Sequence, residues 1–392
     1  MQVNIPLYNE DVLKRDAEAN FNKPYQQCSI SVMDTIADPD ICFDEKGICN
    51  YYYEYLEEEK VHVLKGELGK LKFDETIALL KHTGKGKKYD CILGVSGGVD
   101  STYLAYIAKQ QDLRVLCVHF DNGWNSELAV MNIENIVTRC GFDLYTYVID
   151  WNEFKDIQLA YFKANVVDIE AVTDIAIFSA LDIICKQQNI SHIIDGRNVV
   201  TEFTLPKAWT FKNTSNLKDI HAKFGSIPLK SYPLMSPIRR RIMARTKPFQ
   251  SWPLLNYIEY NKKSVKEKII KELSWRDYGG KHYESVFTRF YQGYILPQKF
   301  KIDKRKAHLS NLIFSGQLTK EEALEELKKP IYPAELFQTD YEFVIKKLGF
   351  TREDFEAYIK APPVSHNEYE TSISIFDEIK FLKPFKKLFK RS

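Results

Sequence analysis

The sequence predicts a doubly wound α/β fold, with a small N-terminal lobe and a mainly helical C-terminal region. Short apolar runs alternate with segments of helical spacing from residue 89 onward, which is typical of parallel strands joined by crossover helices. Each run is apolar throughout rather than at every second position, which indicates strands covered on both faces. The expected architecture is therefore a parallel sheet between two layers of helices.

Changes of pattern along the chain divide it into six segments. These are an N-terminal arm (1–25), a small cysteine-containing lobe (26–60), a helix with a lysine-rich linker (61–88), the α/β domain (89–235), a helical region (236–365) and a basic tail (366–392). In the α/β domain the predicted strands are "CILGV", "RVLCVHF", "DLYTYVI" and "SHIID", and a helix from Ser126 to Cys140 follows the second of them.

Length and composition limit the class of protein. At 392 residues, 44% of them apolar, the chain can build two compact units. Its 55 basic and 53 acidic side chains give a net charge of only +2, which argues against a protein that binds polyanions over its whole surface but is compatible with local basic patches. The first twenty residues are polar and no apolar stretch reaches about 18 residues, so we expect no signal peptide, no transmembrane segment and a cytoplasmic location.

The stretch "SGGVDS" lies between the first predicted strand and its helix, where ligands of such sheets collect. Adjacent glycines let backbone amides approach an anion, the helix N-terminus adds a positive dipole end, and the serines donate hydroxyl groups. Neither the Walker A pattern nor the dinucleotide fingerprint is present. The loop therefore predicts a phosphate site made by Ser96, Gly97, Gly98, Val99, Asp100 and Ser101.

A carboxylate in a phosphate loop needs an explanation, because like charges repel. A bound Mg²⁺ reverses that repulsion by bridging carboxylate and phosphate oxygens, so Asp100 is the candidate metal ligand. The ends of the second and fourth strands bring further polar side chains to the same edge, although a plain strand-to-helix loop explains each of them about equally well. The nucleotide candidates are His119, Asp121, Gly196 and Asn198, and the candidates for a second Mg²⁺ carboxylate are Asp195 and Glu202.

The loop "SGGVDS" resembles the PP-loop of ATP pyrophosphatases, which cleave ATP between the α and β phosphates and adenylate an oxygen of the substrate. From about residue 26 to 365 the chain resembles one family within them, the N-acetyl sugar amidotransferases of O-antigen and pseudaminic-acid pathways, including the PseA-like enzymes. The stretches that carry this resemblance are "VMDT", "FDEKGICNY", "HFDNGWNSELAV", "LPKAWTFKN" and "WRDYGGKHYESVFTRFYQGYILPQKFKIDKRKAHLSNLIFSGQLTKEEAL".

The resemblance implies an enzyme that uses ATP and Mg²⁺ to convert an acetamido group of a bacterial surface sugar into an acetamidino group. The sugar would be pseudaminic acid or a diacetamido uronic acid, free or nucleotide-linked. Ser96 and Asp100 would act at the ATP. Basic side chains of the C-terminal region would bind the sugar, although a solvated or capping role explains each of them as well; the candidates are Lys281, His282, Arg289, Arg305 and His308.

The sequence contains no G-x-C-x-G elbow of a glutaminase, so ammonia must come from elsewhere. The resemblance implies a separate HisH-like glutaminase with a HisF-like subunit. The family's N-terminal lobe usually holds zinc with two C-x-x-C pairs, but here the positions read Cys28-x-x-Ser31 and Cys49-x-x-Tyr52. With half of the thiolates missing we expect no zinc at Cys28 and Cys49. The oligomeric state stays open, and a homo-oligomer is compatible with the sequence.

Two other functions compete with a sugar amidotransferase. A tRNA-modifying, thiolating PP-loop enzyme would need a large basic surface and paired catalytic cysteines, and neither is evident in the sequence. An inactive scaffold would fit the altered N-terminal lobe. The intact "SGGVDS" loop argues against a scaffold, because a protein that does not bind ATP need not keep it.

Overall fold

A computed structural model describes residues 23–371 except 236–238, 240–244, 247–248 and 281–282. Its sheet consists of β1 (Cys91–Gly94), β2 (Val115–Asp121), β3 (Asp143–Val148), β4 (His192–Ile194) and β5 (Gln250–Trp252). The strand order is β3-β2-β1-β4-β5, and every neighbouring pair is parallel. The predicted parallel α/β sheet is thus confirmed.

The fifth strand was not predicted. It has only three residues, two of them exposed, and an edge strand of this kind lacks the apolar run that marked the other four. Ile193 pairs with Ser251, so β5 extends the sheet beyond residue 235, where the sequence pattern placed the end of the α/β domain.

Helices surround the sheet and make up most of the C-terminal region. The helices before β4 are α1 (Asn50–His62), α2 (Gly66–Thr83), α3 (Val99–Gln110), α4 (Glu127–Cys140), α5 (Trp151–Ala164) and α6 (Ala171–Gln187). Those after β4 are α7 (Val199–Glu202), α8 (Thr214–Phe224), α9 (Lys262–Leu273), α10 (Val286–Phe290), a π-helical segment (Tyr291–Phe300), α11 (Lys304–Phe314), α12 (Lys320–Lys328), α13 (Ala334–Leu348) and α14 (Arg352–Lys360). No helix in these ranges is long and apolar enough to cross a membrane.

Helix α4 begins and ends where its capping residues predict. Its N-cap Ser126 accepts a hydrogen bond from the amide of Ala129, and its C-terminus ends at Gly141 in the left-handed conformation. One face of the helix is apolar and buries Ile133 and Ile136 against the sheet. The observed bounds agree with the predicted helix from Ser126 to Cys140.

The N-terminal lobe is anchored on α11 by a buried ion pair. The carboxylate of Asp34 accepts a hydrogen bond from the Lys306 ammonium, and both side chains are almost fully buried. The same carboxylate accepts the amides of Ile36 and Ala37, at 3.1 and 2.8 Å. In this lobe the Cys49 amide donates to the Cys28 sulfur at 3.3 Å. In the described part of the chain, no group of three or more His, Cys, Asp or Glu side chains could hold a metal.

Breaking the buried pair from one side should destabilise the whole protein. Lys306→Met leaves the Asp34 carboxylate buried without its cation, so we expect the free energy of unfolding to fall by about 3–5 kcal/mol in urea denaturation. Lys328→Met is the matched control, because Lys328 pairs with Glu325 on the exposed face of α12 and should leave stability nearly unchanged. Equal losses in the two variants would contradict an anchoring role for the buried pair.

Candidate active site

The strand order creates a crevice between the ends of β1 and β4. The chain runs from β1 outward through β2 to β3, whereas β4 and β5 lie on the other side of β1. Loops that follow β1 and β4 therefore leave the sheet in different directions, and the space between them is where ligands of doubly wound sheets bind. Gly196, after β4, lies so close that an added Cβ would be 3.1 Å from the Cβ of Asp100.

Two glycines shape the loop after β1. Gly97 has φ +79°, and an added Cβ would meet the carbonyl oxygen of Ala129 at 2.7 Å, so this position excludes side chains. Its carbonyl oxygen accepts the Trp275 indole N–H at 2.8 Å, which fixes the turn from the C-terminal region. Gly98 is the N-cap of α3 with ordinary φ, and its added Cβ would point at Ser96 Oγ.

The serines of the loop make short-range hydrogen bonds. Ser96 Oγ accepts the Gly98 amide at 3.2 Å, and Ser101 Oγ donates to the Gly98 carbonyl at 3.2 Å. Thr102 donates to the same carbonyl at 2.7 Å through its hydroxyl. These bonds hold the first turn of α3 in place, with its N-terminus directed into the crevice.

A cavity of about 330 Å³ opens over this loop. The predicted residues that line it are Ser96, Gly98, Val99, Asp100, Ser101, Gly196 and Glu202. Its other walls come from elements that sequence reasoning did not assign to the nucleotide, namely Lys262, Lys266, Tyr278, Gly280 and Glu284. Tyr278 and Glu284 lie on either side of the predicted sugar-binding residues Lys281 and His282 in the sequence, and the fold brings both to the phosphate cavity.

The carboxylates of Asp100 and Glu202 line this same cavity and fit a magnesium site. Both offer hard oxygen ligands, and Mg²⁺ is usually held by one or two carboxylates together with phosphate oxygens and water. The Tyr260 hydroxyl donates a hydrogen bond to Asp100 Oδ1. Burial, together with the charge of Asp100, raises the pKa of Tyr260 well above its ordinary value, so the hydroxyl stays a donor.

Asp195, the other predicted metal ligand, does not line the cavity. Its carboxylate binds the Arg197 guanidinium at 2.9 and 2.8 Å and also accepts the Ser251 hydroxyl. Of the two candidates for the second carboxylate, only Glu202 lines this cavity with Asp100.

Three predicted nucleotide contacts have internal partners in the structure, and none of them lines the cavity. His119 is buried, with its Nδ1 3.1 Å from the Val95 carbonyl and its Nε2 3.0 Å from Asn125 Nδ2. Asp121 accepts the Gly123 amide at 2.8 Å. Asn198 is buried and caps α7 by accepting the Thr201 amide. These side chains shape the edge of the sheet.

A larger cavity of about 740 Å³ adjoins the first and shares Lys262, Lys266 and Gly280 with it. The predicted sugar-binding residues Arg289, Arg305 and His308 all line it. Lys281 and His282, also predicted for the sugar, lie outside the described residues. The C-terminal region thus forms a second compartment next to the phosphate loop.

Two arginines of the larger cavity are already paired. Arg289 makes a two-point contact with Asp340 and is largely buried. Arg305 binds Asp303 and three main-chain carbonyls between residues 326 and 329. Guanidinium groups held this way organise the wall and leave few donors for a ligand.

Among the described residues that line the larger cavity, Lys304 is a cation that keeps its donors. It is the first residue of α11, lines the cavity, and makes no hydrogen bond or ion pair with any described residue. Burial raises the pKa of the nearby Asp168 to about 7, and the Lys304 charge offsets part of that rise. On another side the cavity is apolar, with Leu309, Leu312 and Ile331. Such a lining suits a ligand with both an anionic and an apolar group.

Family models match two parts of the chain. One described as LPS biosynthesis protein WbpG-like, C-terminal domain, matches residues 284–383, and one described as queuosine biosynthesis protein QueC matches residues 90–237. The second match covers the α/β domain with the phosphate loop. The first covers most of the residues that line the larger cavity.

Individual relatives are distant. An uncharacterised protein of Methanocaldococcus jannaschii is 24% identical over 263 residues, which is 65% of this chain and 78% of the relative. The tRNA(Ile)-lysidine synthase of Chlamydia caviae is 26% identical over 166 residues, which is 41% of this chain and half of that enzyme. The solved NMN synthetase of Francisella tularensis is 14% identical, with 72% of this chain and 97% of that one covered, and its TM-score of 0.34 is too low to support an argument.

A methyl group added at Gly98 should separate folding from nucleotide binding. The φ of Gly98 allows alanine, but its Cβ would enter the phosphate cavity near Ser96 Oγ and Tyr278 Oη, so we expect Gly98→Ala to weaken ATP binding about tenfold or more in calorimetry, with little change in Tm. Gln110→Ala is the control, because Gln110 is exposed at the far end of α3 and does not line the cavity. Unchanged ATP affinity in Gly98→Ala would show that the phosphates bind elsewhere.

Proposed function

The chain is a WbpG-like member of the PP-loop superfamily, and we propose that it converts an acetamido group of an acidic bacterial surface sugar into an acetamidino group with ATP and ammonia. The observation that carries the proposal is the adjoining pair of cavities. One contains the phosphate loop and the other, lined by the WbpG-like helices, offers Lys304 to an anion. Lys262 and Lys266 lie on the wall that both share.

The first step would form an activated amide. The amide oxygen attacks the α-phosphorus of ATP, a new O–P bond forms, and the bond from the α-phosphorus to the bridging oxygen breaks to release pyrophosphate. The backbone amides at the start of α3 and the hydroxyl of Ser96 would hold the departing phosphates. Asp100 and Glu202 would hold Mg²⁺, which would neutralise part of the phosphate charge when bound.

The second step would replace oxygen with nitrogen. Ammonia adds to the carbon of the adenylated amide, the carbon–oxygen bond breaks, AMP leaves with that oxygen, and the product is an amidine that carries the proton. An ordinary amide carbon is a weak electrophile with a poor leaving group, so adenylation is what makes the exchange feasible. The chain's own contribution is to position the amide at the wall between the cavities.

The charges of the larger cavity support an acidic sugar as the acceptor. Among the described lining residues, Arg289 and Arg305 are occupied by Asp340 and Asp303, whereas Lys304 keeps its donors. A carboxylated or phosphorylated sugar would place its anion at Lys304 and its N-acetyl methyl groups against the leucines of α11. Pseudaminic acid and a nucleotide-linked diacetamido uronic acid both have this chemistry.

Ammonia is proposed to come from a separate protein. The sequence lacks the cysteine elbow of a glutaminase, and the resemblance to sugar amidotransferases implies a HisH-like glutaminase with a HisF-like subunit. Free ammonium at high concentration should then support the reaction without that partner.

A second candidate is a PP-loop enzyme that adenylates a base carbonyl in tRNA. Similarity to tRNA(Ile)-lysidine synthases and the QueC match favour chemistry on a base. The match to an LPS biosynthesis family over residues 284–383 favours a sugar, because most of the residues that line the larger cavity lie in that range. Lysine, tRNA and ATP incubated with the protein would yield AMP only if the second candidate were right.

The reaction can be tested directly. The protein is incubated with ATP, Mg²⁺, ammonium and a panel of free and nucleotide-linked diacetamido sugars, and we expect AMP, pyrophosphate and a product about 1 Da lighter by mass spectrometry. Asp100→Asn should lower AMP formation about 100-fold or more and remain folded. Asp112→Asn, in the turn after α3, is the matched control and should be fully active. Release of ADP instead of AMP would refute the proposal.

Lys304 should determine acceptor affinity. Because a hydrogen bond to a charged partner contributes about 1.5–3 kcal/mol, Lys304→Met should raise the KM for an acidic acceptor about tenfold or more. The KM for ATP should not change, since Lys304 does not line the phosphate cavity. Lys328→Met is the control for loss of one surface lysine from the neighbouring helix. An unchanged acceptor KM in Lys304→Met would place the acceptor's anion elsewhere.

A further inference from the structure

We infer that Tyr260 is a positioning residue, whose hydroxyl orients the Asp100 carboxylate for the divalent cation that accompanies ATP. The inference rests on the proposed function, in which Asp100 binds that cation. It concerns a side chain that neither the phosphate-loop motif nor the cavity lining includes. Tyr260 lies 160 residues away from Asp100 in the sequence and reaches it from outside the α/β domain.

The contact fixes one oxygen of a carboxylate that lines the phosphate cavity. Tyr260 Oη donates to Asp100 Oδ1, and Asp100 itself lines the phosphate cavity whereas Tyr260 does not. A carboxylate at the second position of a helix can rotate about χ1 and χ2. A donor fixed on one oxygen restricts that rotation, and partners of this kind around metal ligands commonly affect metal affinity or activity 10–100-fold.

Tyr260 can act as a fixed reference because its own position is held at three points. The side chain is only 7% exposed, and its ring packs against Tyr103 of α3 with centroids 6.0 Å apart. Its carbonyl oxygen accepts Gln317 Nε2 at 3.2 Å. The Oε1 of the same glutamine accepts the Lys262 amide at 3.0 Å. Gln317 therefore clamps the segment 260–262 from both sides.

The clamp also connects the two cavities. Lys262, held by Gln317, lines both of them, and Gln317 follows α11, the helix that carries Lys304. The orientation of Asp100 is thus set by the same short segment that places a lysine at the shared wall. Hydrogen bonds through Tyr260 and Gln317 thus connect the Asp100 carboxylate to a lysine of the larger cavity.

Metal binding can be measured without turnover. Full-length protein is saturated with α,β-methylene-ATP, and Mn²⁺ is titrated in as a paramagnetic substitute for Mg²⁺ while electron paramagnetic resonance reports free and bound ion. We expect Tyr260→Phe, which keeps the ring and removes the hydroxyl, to weaken Mn²⁺ binding about tenfold or more. Tyr103→Phe removes the hydroxyl of the ring packed against Tyr260 and should stay within twofold of the wild type.

A second variant covers the case in which Tyr260→Phe folds poorly. Gln317→Ala keeps the Tyr260 hydroxyl but releases its backbone, and we expect Mn²⁺ affinity to fall several-fold. Unchanged Mn²⁺ affinity in either folded variant, or an equal loss in Tyr103→Phe, would overturn the inference, as would a wild type that binds no Mn²⁺ with the nucleotide. If wild type binds Mn²⁺ but forms no AMP with any sugar, the proposed function fails and the Mn²⁺ affinities still decide the role of Tyr260.

Discussion

The close approach of backbone to backbone at the end of β1 is the constraint on which the site depends. An added Cβ at Gly97 would lie 2.7 Å from the Ala129 carbonyl oxygen, which excludes a side chain, and one at Gly196 would lie 3.1 Å from the Asp100 Cβ, which leaves very little room for one. Glycines at these positions have an entropic cost, because glycine loses more conformational freedom on folding than other residues. What the protein gains is a helix N-terminus that phosphate oxygens can reach directly.

The C-terminal region completes this turn as well as covering it. Asn125 and Ser285 form an antiparallel bridge, the Ser126 amide donates to the Glu284 carbonyl at 2.9 Å, and the Trp275 indole donates to Gly97. These contacts join segments far apart in sequence. The larger cavity and the phosphate loop are therefore parts of one packed unit.

Local patterns predicted the four apolar strands, helix α4 and the loop from Ser96 to Ser101, because periodicity, caps and glycine turns are encoded by neighbouring residues. They could not predict β5, which is short and mostly exposed. They also could not show which of Glu202 and Asp195 lines the cavity with Asp100, because that depends on the tertiary fold: Asp195 pairs with Arg197, and Glu202 lines the cavity. Tyr260, Lys262 and Glu284 were missed for a related reason, since they reach the loop only through tertiary packing.

The balance of charge in the phosphate cavity constrains how a nucleotide can enter. Among the described lining residues, the carboxylates of Asp100, Glu202 and Glu284 outnumber the ammonium groups of Lys262 and Lys266. A triphosphate brought alone to these carboxylates would be repelled at short range, where reduced solvent screening makes repulsion strong. A nucleotide that arrives with its divalent cation reverses the sign of that interaction at Asp100 and Glu202. Lys262 and Lys266 line both this cavity and the larger one. Anionic ligands in the two cavities would therefore lie near the same two ammonium groups, and these cations would reduce the repulsion between them.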